Sequence, residues 1–439
     1  MQRNMLSDPH WIARLLLVIV LVFIVSTLAG CAYTHLQAQQ APTATPRPAL
    51  PPTEIVPTVT PAATDIPWPT PSPPDTALSL CTFADPAAPA SLATPVSYRF
   101  SEPTVILTNT GGTITIASWL PDNQRLLLTR SIAGSARETI ETVDMRTGLV
   151  QRRAERHALP SKPVWVEPQQ AIAFVDAVPN EGWMLKMGTA PAYEVAQTNL
   201  VSPHLAVDPT GQTIGVLLRA KRAAPALVST MTQTVQQVPV SLPVSPWQHD
   251  STLPLGGEEQ YRLTWSPQGN WIVYTSIDGL YLHNIRTDAI CRIDLEGTLW
   301  ALETVWSPDE RWLALRVADQ GLPVPFVGLR LLNMTTGAIQ EIPPPAFDED
   351  RGSFFVTGLA WTPDSRSLLS LVRIQRDERG VGHDGLFLID VARNTATRVL
   401  PDFTFARNLR WSADGQYLAV DCTIWQEGRL CLVNVTPLR

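Results

Sequence analysis

The chain has 439 residues and a formal net charge of −7, from 33 Lys and Arg against 40 Asp and Glu. It contains no basic stripe, which argues against nucleic acid as a partner. Beyond a Pro-rich N-terminal region there remain about 340 residues, enough for one large domain and no second domain of size.

Arg3 and Arg14 precede an uncharged apolar run, Leu15 to Gly30, which ends in Leu28-Ala29-Gly30-Cys31. A basic start, a short apolar stretch and small residues at the cut have the form of a secretory signal over residues 1–30. The run is shorter than the roughly 20 residues a spanning helix needs. Leu-Ala-Gly-Cys in this position resembles the bacterial lipobox. That resemblance implies cleavage before Cys31, acylation of Cys31, and a partner that is the membrane itself, held through the lipid anchor. Acyl chains contribute about 0.8 kcal/mol per buried CH₂, so several chains anchor stably. The expected location is the extracytoplasmic face of the cell membrane.

Residues 31–77 follow as a stalk. Pro42 to Asp75 holds 12 Pro and 7 Thr in 34 residues. Such a segment cannot bury a core and favours extended polyproline II conformations, with a reach on the order of 100 Å.

From residue 78 onward one phrase recurs. It reads Trp119-Leu-Pro-Asp, Trp265-Ser-Pro-Gln-Gly, Trp306-Ser-Pro-Asp, Trp361-Thr-Pro-Asp and Trp411-Ser-Ala-Asp-Gly, with worn copies at Trp165 and Val207. Successive starts are 46, 42, 58, 41, 55 and 50 residues apart. An apolar strand ends at each Trp, Ser-Pro-Asp-Gly makes a tight turn, and a second strand begins at once. Two more strands complete each unit, as in Gly279–Ile285 and Ala289–Ile293, with period-two alternation and β-branched content. A unit of about 40–50 residues with four strands is a β-propeller blade. The expected fold is an all-β, seven-bladed β-propeller over residues 78–439, with six or eight blades as alternatives. The motif Trp residues are expected to pack between blades. Blade seven lacks an outer strand after Leu430–Val435, so Thr104–Thr108 is expected to supply it and close the ring.

These motifs resemble the TolB-type propeller repeat, related to the WD-type and prolyl-oligopeptidase propellers, over about residues 96–439. The resemblance implies the fold and says little of activity, because propellers host many functions. No counterpart is expected of the α/β domain that precedes the TolB propeller or of the hydrolase domain of the prolyl-oligopeptidases.

With Cys31 acylated, four cysteines remain, and an even number in an exported chain suggests disulfides. Cys422 and Cys431 stand on consecutive strands, which suggests one bridge and leaves Cys81 with Cys291. All three connectivities stay open, as do free thiols.

Chemistry is sparsely signalled. The motifs Gly-x-Ser-x-Gly, His-Glu-x-x-His and Gly-x-x-x-x-Gly-Lys-Ser/Thr are absent. Phe347–Gly352 is acidic but lacks calcium-loop spacing. The Arg152–His157 cluster reads as a solvated loop. No catalytic residue, metal or cofactor is expected.

Topology directs attention to one rim. Turns after strands one and three share a rim and are short. Length gathers on the other rim, in Gln151–Pro163, Ser241–Gln260, Val317–Phe326, Pro343–Thr357, Arg373–Gly385 and Thr423–Gly428. Long loops on a rigid scaffold are where binding sits. The candidate rim residues are Trp247, His249, Asp350, Phe355, Arg373, Arg376, Arg379, His383 and Trp425, since aromatics and Arg carry interface energy. The expected role is a non-catalytic scaffold binding another protein or an envelope polymer. The alternative is an envelope hydrolase or lyase acting on peptide or glycan, using His249, His383 and nearby carboxylates in the channel or rim.

Overall fold

The computed structural model describes residues 79–83, 97–159, 161–178, 182–188, 193–194, 200, 202–219, 223–238, 262–276, 279–295, 299–319, 327–342, 353–375, 382–401, 408–422 and 427–438. Cys31 and the Pro-rich stretch lie outside them. Among the described residues no helix is long and apolar enough to cross a membrane.

The described chain is a seven-bladed β-propeller. Blade one is Ile114–Trp119, Arg125–Ser131, Arg137–Asp144 and Val150–His157. The first strands of the later blades are Val164–Val166, Ala206–Val207, Arg262–Trp265, Leu299–Trp306, Ser353–Trp361 and Leu409–Trp411. Each first strand contacts the first strand of the next blade, and the circuit closes when Leu409–Trp411 meets Ile114–Trp119.

Register confirms that the seven motifs are equivalent. Trp119, Trp165, Val207, Trp265, Trp306, Trp361 and Trp411 pair with Leu126, Ile172, Ile214, Ile272, Leu313, Leu368 and Leu418. The turn that follows explains the motif. The hydroxyls of Ser266, Ser307, Thr362 and Ser412 accept from the backbone N–H of Trp271, Trp312, Ser367 and Tyr417 at 2.9–3.1 Å. Those of Ser307, Thr362 and Ser412 donate to Asp309, Asp364 and Asp414. Each carboxylate in turn accepts a backbone N–H two residues on. The next residue takes a left-handed conformation, filled by Gly269, Glu310, Ser365 and Gly415. Pro pre-sets the turn, Ser and Asp satisfy its buried polar groups, and the second strand can start without a gap.

The motif Trp residues pack between blades, as expected. Trp306 and Trp361 are buried in apolar clusters that span neighbouring blades. Trp119 donates to the Arg410 carbonyl and Trp361 to that of Val305, both at 2.9 Å and both from one blade to the preceding one.

Ring closure follows the expectation and extends it. Thr104–Thr110 pairs antiparallel with Glu427–Leu438, from Thr104 opposite Leu432 to Thr110 opposite Glu427. Ser97–Phe100 continues along the same strand, with Phe100 opposite Val435. Ser101–Pro103 interrupts the two, where Pro103 has no N–H to give. Blade seven thus joins Ser97–Phe100 and Thr104–Thr110 to the C-terminal strand.

A second tether lies on the outside. Cys81 is bridged to Cys291, and Leu80 lies beside Arg292 as a short parallel bridge. Phe83 then covers Gly337, where a Cβ would stand 2.2 Å from the Phe83 ring and the φ is +73°. The Ser79–Phe83 segment therefore clasps the outer edges of blades four and five. Cys422 is bridged to Cys431 within blade seven.

In blade one the expected loop is replaced by a strand. Gln151–His157 is not loop but the fourth strand of blade one. Nor is the Arg152–His157 cluster wholly solvated. Arg156 is fully buried, with its guanidinium on Glu138 at 2.7 Å, on Ser161 Oγ at 2.7 Å and on the Val175 carbonyl. Arg153 reaches over the Trp165 ring. Burial is tolerated because the charge is paired and its donors are satisfied. The cluster holds blade one to blade two.

Candidate functional site

The strand bounds preserve the contrast between rims while shortening the loops. Motif turns such as 266–270 and third-to-fourth turns such as 145–149 are short. The connections on the opposite rim include 238–261, 320–326, 343–352 and 376–381. Residues 317–319, 353–357, 373–375 and 382–385, read as loop from sequence, are strand.

Trp247, His249, Asp350, Arg376, Arg379 and Trp425 lie outside the described residues. Phe355, Arg373 and His383 lie on blade six strands. Phe355 is opposite Arg373, Arg373 is opposite Asp384, and His383 is opposite Ile374. The register thus brings Phe355, Arg373 and Asp384 into one row on the side of the elaborated rim.

A second constellation emerges at the axis. Counting three residues back from each motif Trp position gives Ile116, Lys162, His204, Arg262, Glu303, Gly358 and Asn408. Five of the seven are polar, and they form one layer of the ring. Lys162 Nζ donates to Asn408 Oδ1 at 2.8 Å, reaching from blade two past blade one to blade seven. A contact of that span runs along the channel side of the first strands. Arg316 adds to the layer from the second strand of blade five, 3.4 Å from Glu303. Arg410 enters from blade seven, donating to the carbonyls of Ala117 at 3.2 Å and Leu409 at 2.9 Å. Lys162, His204, Arg262, Glu303, Asn408 and Arg410 are all half-buried.

Electrostatics couple these groups across the ring. Burial, then the repulsion of Arg410, holds the Lys162 ammonium well below its ordinary range. Burial, then Arg262, Lys162 and Arg156, does the same to His204. Burial acts to raise the Glu303 carboxyl, but Arg316, Lys162, Arg262 and Arg410 outweigh it and keep the group below its usual value. Burial lowers the Arg410 guanidinium, opposed by Glu303. Cations thus surround a single carboxylate among the described residues of the layer. The His204 Nε2 is buried and has no hydrogen-bond partner among the described residues.

Sequence reasoning missed this layer, yet a signal existed. Aligning the repeats on their Trp and reading the third residue before it recovers Lys162, His204, Arg262, Glu303 and Asn408 in one column. Among the described residues, the axial layer included, no group of three or more His, Cys, Asp or Glu gathers as a metal site would.

The class of the protein is set by its ring: it is a seven-bladed β-propeller. No protein-family model matches the sequence, and no curated protein matches it. Solved structures share the architecture. The β-propeller domain of Cps50 (Swd1) from Myceliophteria thermophila is 13% identical, with a TM-score of 0.49, over 75% of this chain and 98% of that one. Hydrazine synthase from Kuenenia stuttgartiensis is 15% identical, with a TM-score of 0.48, over 75% and 96%. TolB from Acinetobacter baumannii is 14% identical, with a TM-score of 0.37, over 71% and 78%.

Proposed function

We propose that this chain is a lipid-anchored, extracytoplasmic propeller that binds another protein or an envelope polymer through its elaborated rim, without catalysis of its own. The observation that carries this reading is the asymmetry of the two rims. Motif turns on one side are short and nearly identical, whereas the opposite side varies in length from blade to blade. A scaffold that only filled space would have no reason to vary one rim alone. The Leu-Ala-Gly-Cys31 resemblance supports the anchor, and the Pro-rich stalk gives it reach.

Two measurements test the reading. Metabolic labelling with a palmitate analogue should mark the wild-type chain and leave Cys31→Ala unmarked and released from membranes. In-cell crosslinking should then capture a stoichiometric partner with the full-length chain and lose it when residues 241–260 are shortened. A partner retained by the shortened variant, or none captured by either chain, would remove the rim from the reading.

A further inference from the structure

We propose that the axial channel, where it opens toward the elaborated rim, is a binding site for a small oxyanion, the phosphate or carboxylate group of a soluble ligand, held by Lys162, Arg410 and His204. This site is independent of the rim proposed above.

The argument begins with charge. The chain as a whole carries −7, so an unbiased sample of its side chains would lean acidic. The axial layer does the opposite. Lys162, Arg262, Arg316 and Arg410 converge on Glu303, and Lys162 is held down by burial first and by the repulsion of Arg410 second. Like charges in a half-buried site oppose folding unless something offsets them. Glu303 is engaged by Arg316. Among the described residues, the hydrogen-bond partners of Lys162 and Arg410 are neutral oxygens: the Asn408 amide, and the backbone carbonyls of Ala117 and Leu409. Those bonds orient the two cations without neutralising them.

The site is also pre-organised. The backbone of Arg410 is pinned by the Trp119 indole at 2.9 Å, and its guanidinium is fixed through Nε and Nη1. Lys162 is aimed by Asn408 and keeps further ammonium protons for an acceptor. His204, from the blade following Lys162, brings a buried Nε2 with no hydrogen-bond partner among the described residues. Donors held in place in a low-dielectric site are what an oxyanion needs, because their order does not have to be bought when it binds. Lys162, His204 and Arg410 each keep part of their surface uncovered.

Proton linkage follows. Lys162 faces Arg410, Glu303, Arg262 and Arg316, and His204 faces Arg262, Lys162 and Arg156. An anion between them favours the charged form of both, so binding takes up protons.

The test is thermal unfolding and titration calorimetry of the full-length chain with sodium phosphate and, separately, sodium succinate, each against sodium chloride at equal ionic strength. The expected result is a concentration-dependent rise in Tm with one of the two oxyanions, and a binding heat that changes between buffers of different ionisation enthalpy. The stronger response distinguishes a phosphate from a carboxylate ligand. Lys162→Met should weaken that binding at least tenfold while leaving the ligand-free Tm equal to or above wild type, because it removes a repelled charge. Rescue by Lys162→Arg would separate charge from packing. No oxyanion-dependent rise in the wild type, or a rise preserved in Lys162→Met, overturns the proposal.

Discussion

The indole Nε1 of Trp119 donates to the carbonyl oxygen of Arg410 at 2.9 Å, so the first blade grips the last through one hydrogen bond. The same residue type makes the same bond from blade six to blade five, between Trp361 and Val305. In blades four, five and seven the indole N–H of Trp265, Trp306 and Trp411 has no hydrogen-bond partner among the described residues. One repeat position therefore does two jobs, packing everywhere and hydrogen bonding at two seams.

That division gives a comparison. Trp119→Phe removes the donor that reaches across the seam to the Arg410 carbonyl, which should lower stability by about 0.5–1.5 kcal/mol beyond the lost packing. Trp265→Phe removes packing alone. Urea unfolding of the two variants should show Trp119→Phe as the more damaging, and equal losses would mean that the seam bond contributes nothing.

The Arg156–Glu138 pair gives the second. Arg156 is fully exclusive of solvent and Glu138 nearly so, 2.7 Å apart. Removing one partner strands the other's charge, an effect of about 3–5 kcal/mol. Arg156→Met and Glu138→Leu should each be strongly destabilised, and the double variant less so than the sum. A double-mutant cycle in denaturant reads this directly, and simple additivity would show that the two charges do not depend on each other.

The fold was readable because its recurring turn needs particular residue types in order: a hydroxyl to accept from the second strand, Pro to pre-set φ, a carboxylate, then a residue that tolerates positive φ. The ring-closing strand was readable for a similar reason, since seven motifs with one incomplete blade leave a single place for Thr104–Thr108. The fourth strand of blade one was not. Val150–His157 carries four charged residues and little apolar alternation, and what buries Arg156 is Glu138 and Ser161, which local sequence does not reveal. The axial layer was hidden differently. Lys162, His204, Arg262, Glu303 and Asn408 share a position but not a residue type, and in blades two, three and seven they stand just before a very short strand. Of the rim residues, the register unites Phe355 and Arg373 in one row, a relation that depends on strand pairing rather than on spacing.

The two disulfides should differ in weight. Cys81 and Cys291 are separated by 210 residues, Cys422 and Cys431 by 9. Chain entropy alone assigns about 5 kcal/mol to the longer loop and about 2.5 kcal/mol to the shorter. Cys81→Ser/Cys291→Ser should therefore lower Tm more than Cys422→Ser/Cys431→Ser, and should also free the Ser79–Phe83 clasp to proteolysis. Equal Tm values for the two pairs would indicate that the clasp adds no constraint to the folded ring.

Acid should weaken the ring before its carboxylates titrate. Burial and the neighbouring Arg262 and Lys162 hold His204 well below the ordinary imidazole value of 6.5. Below that value the unfolded chain binds a proton that the folded chain refuses, so stability rises with pH in this window and is fully present above it. The contributions of Asp176 and Glu303, whose carboxyls are held below their ordinary values by His157 and Lys186 and by the axial cations respectively, are lost only at lower pH. As the pH falls below 6.5 this contribution should be lost progressively, with a slope no steeper than about 1.4 kcal/mol per pH unit for one proton. Urea midpoints measured at pH 7.5, 6.5, 5.5 and 5.0 should fall for the wild type and flatten for His204→Gln. A wild-type midpoint that holds constant down to pH 5, or the same fall in His204→Gln, would place the acid sensitivity elsewhere in the ring.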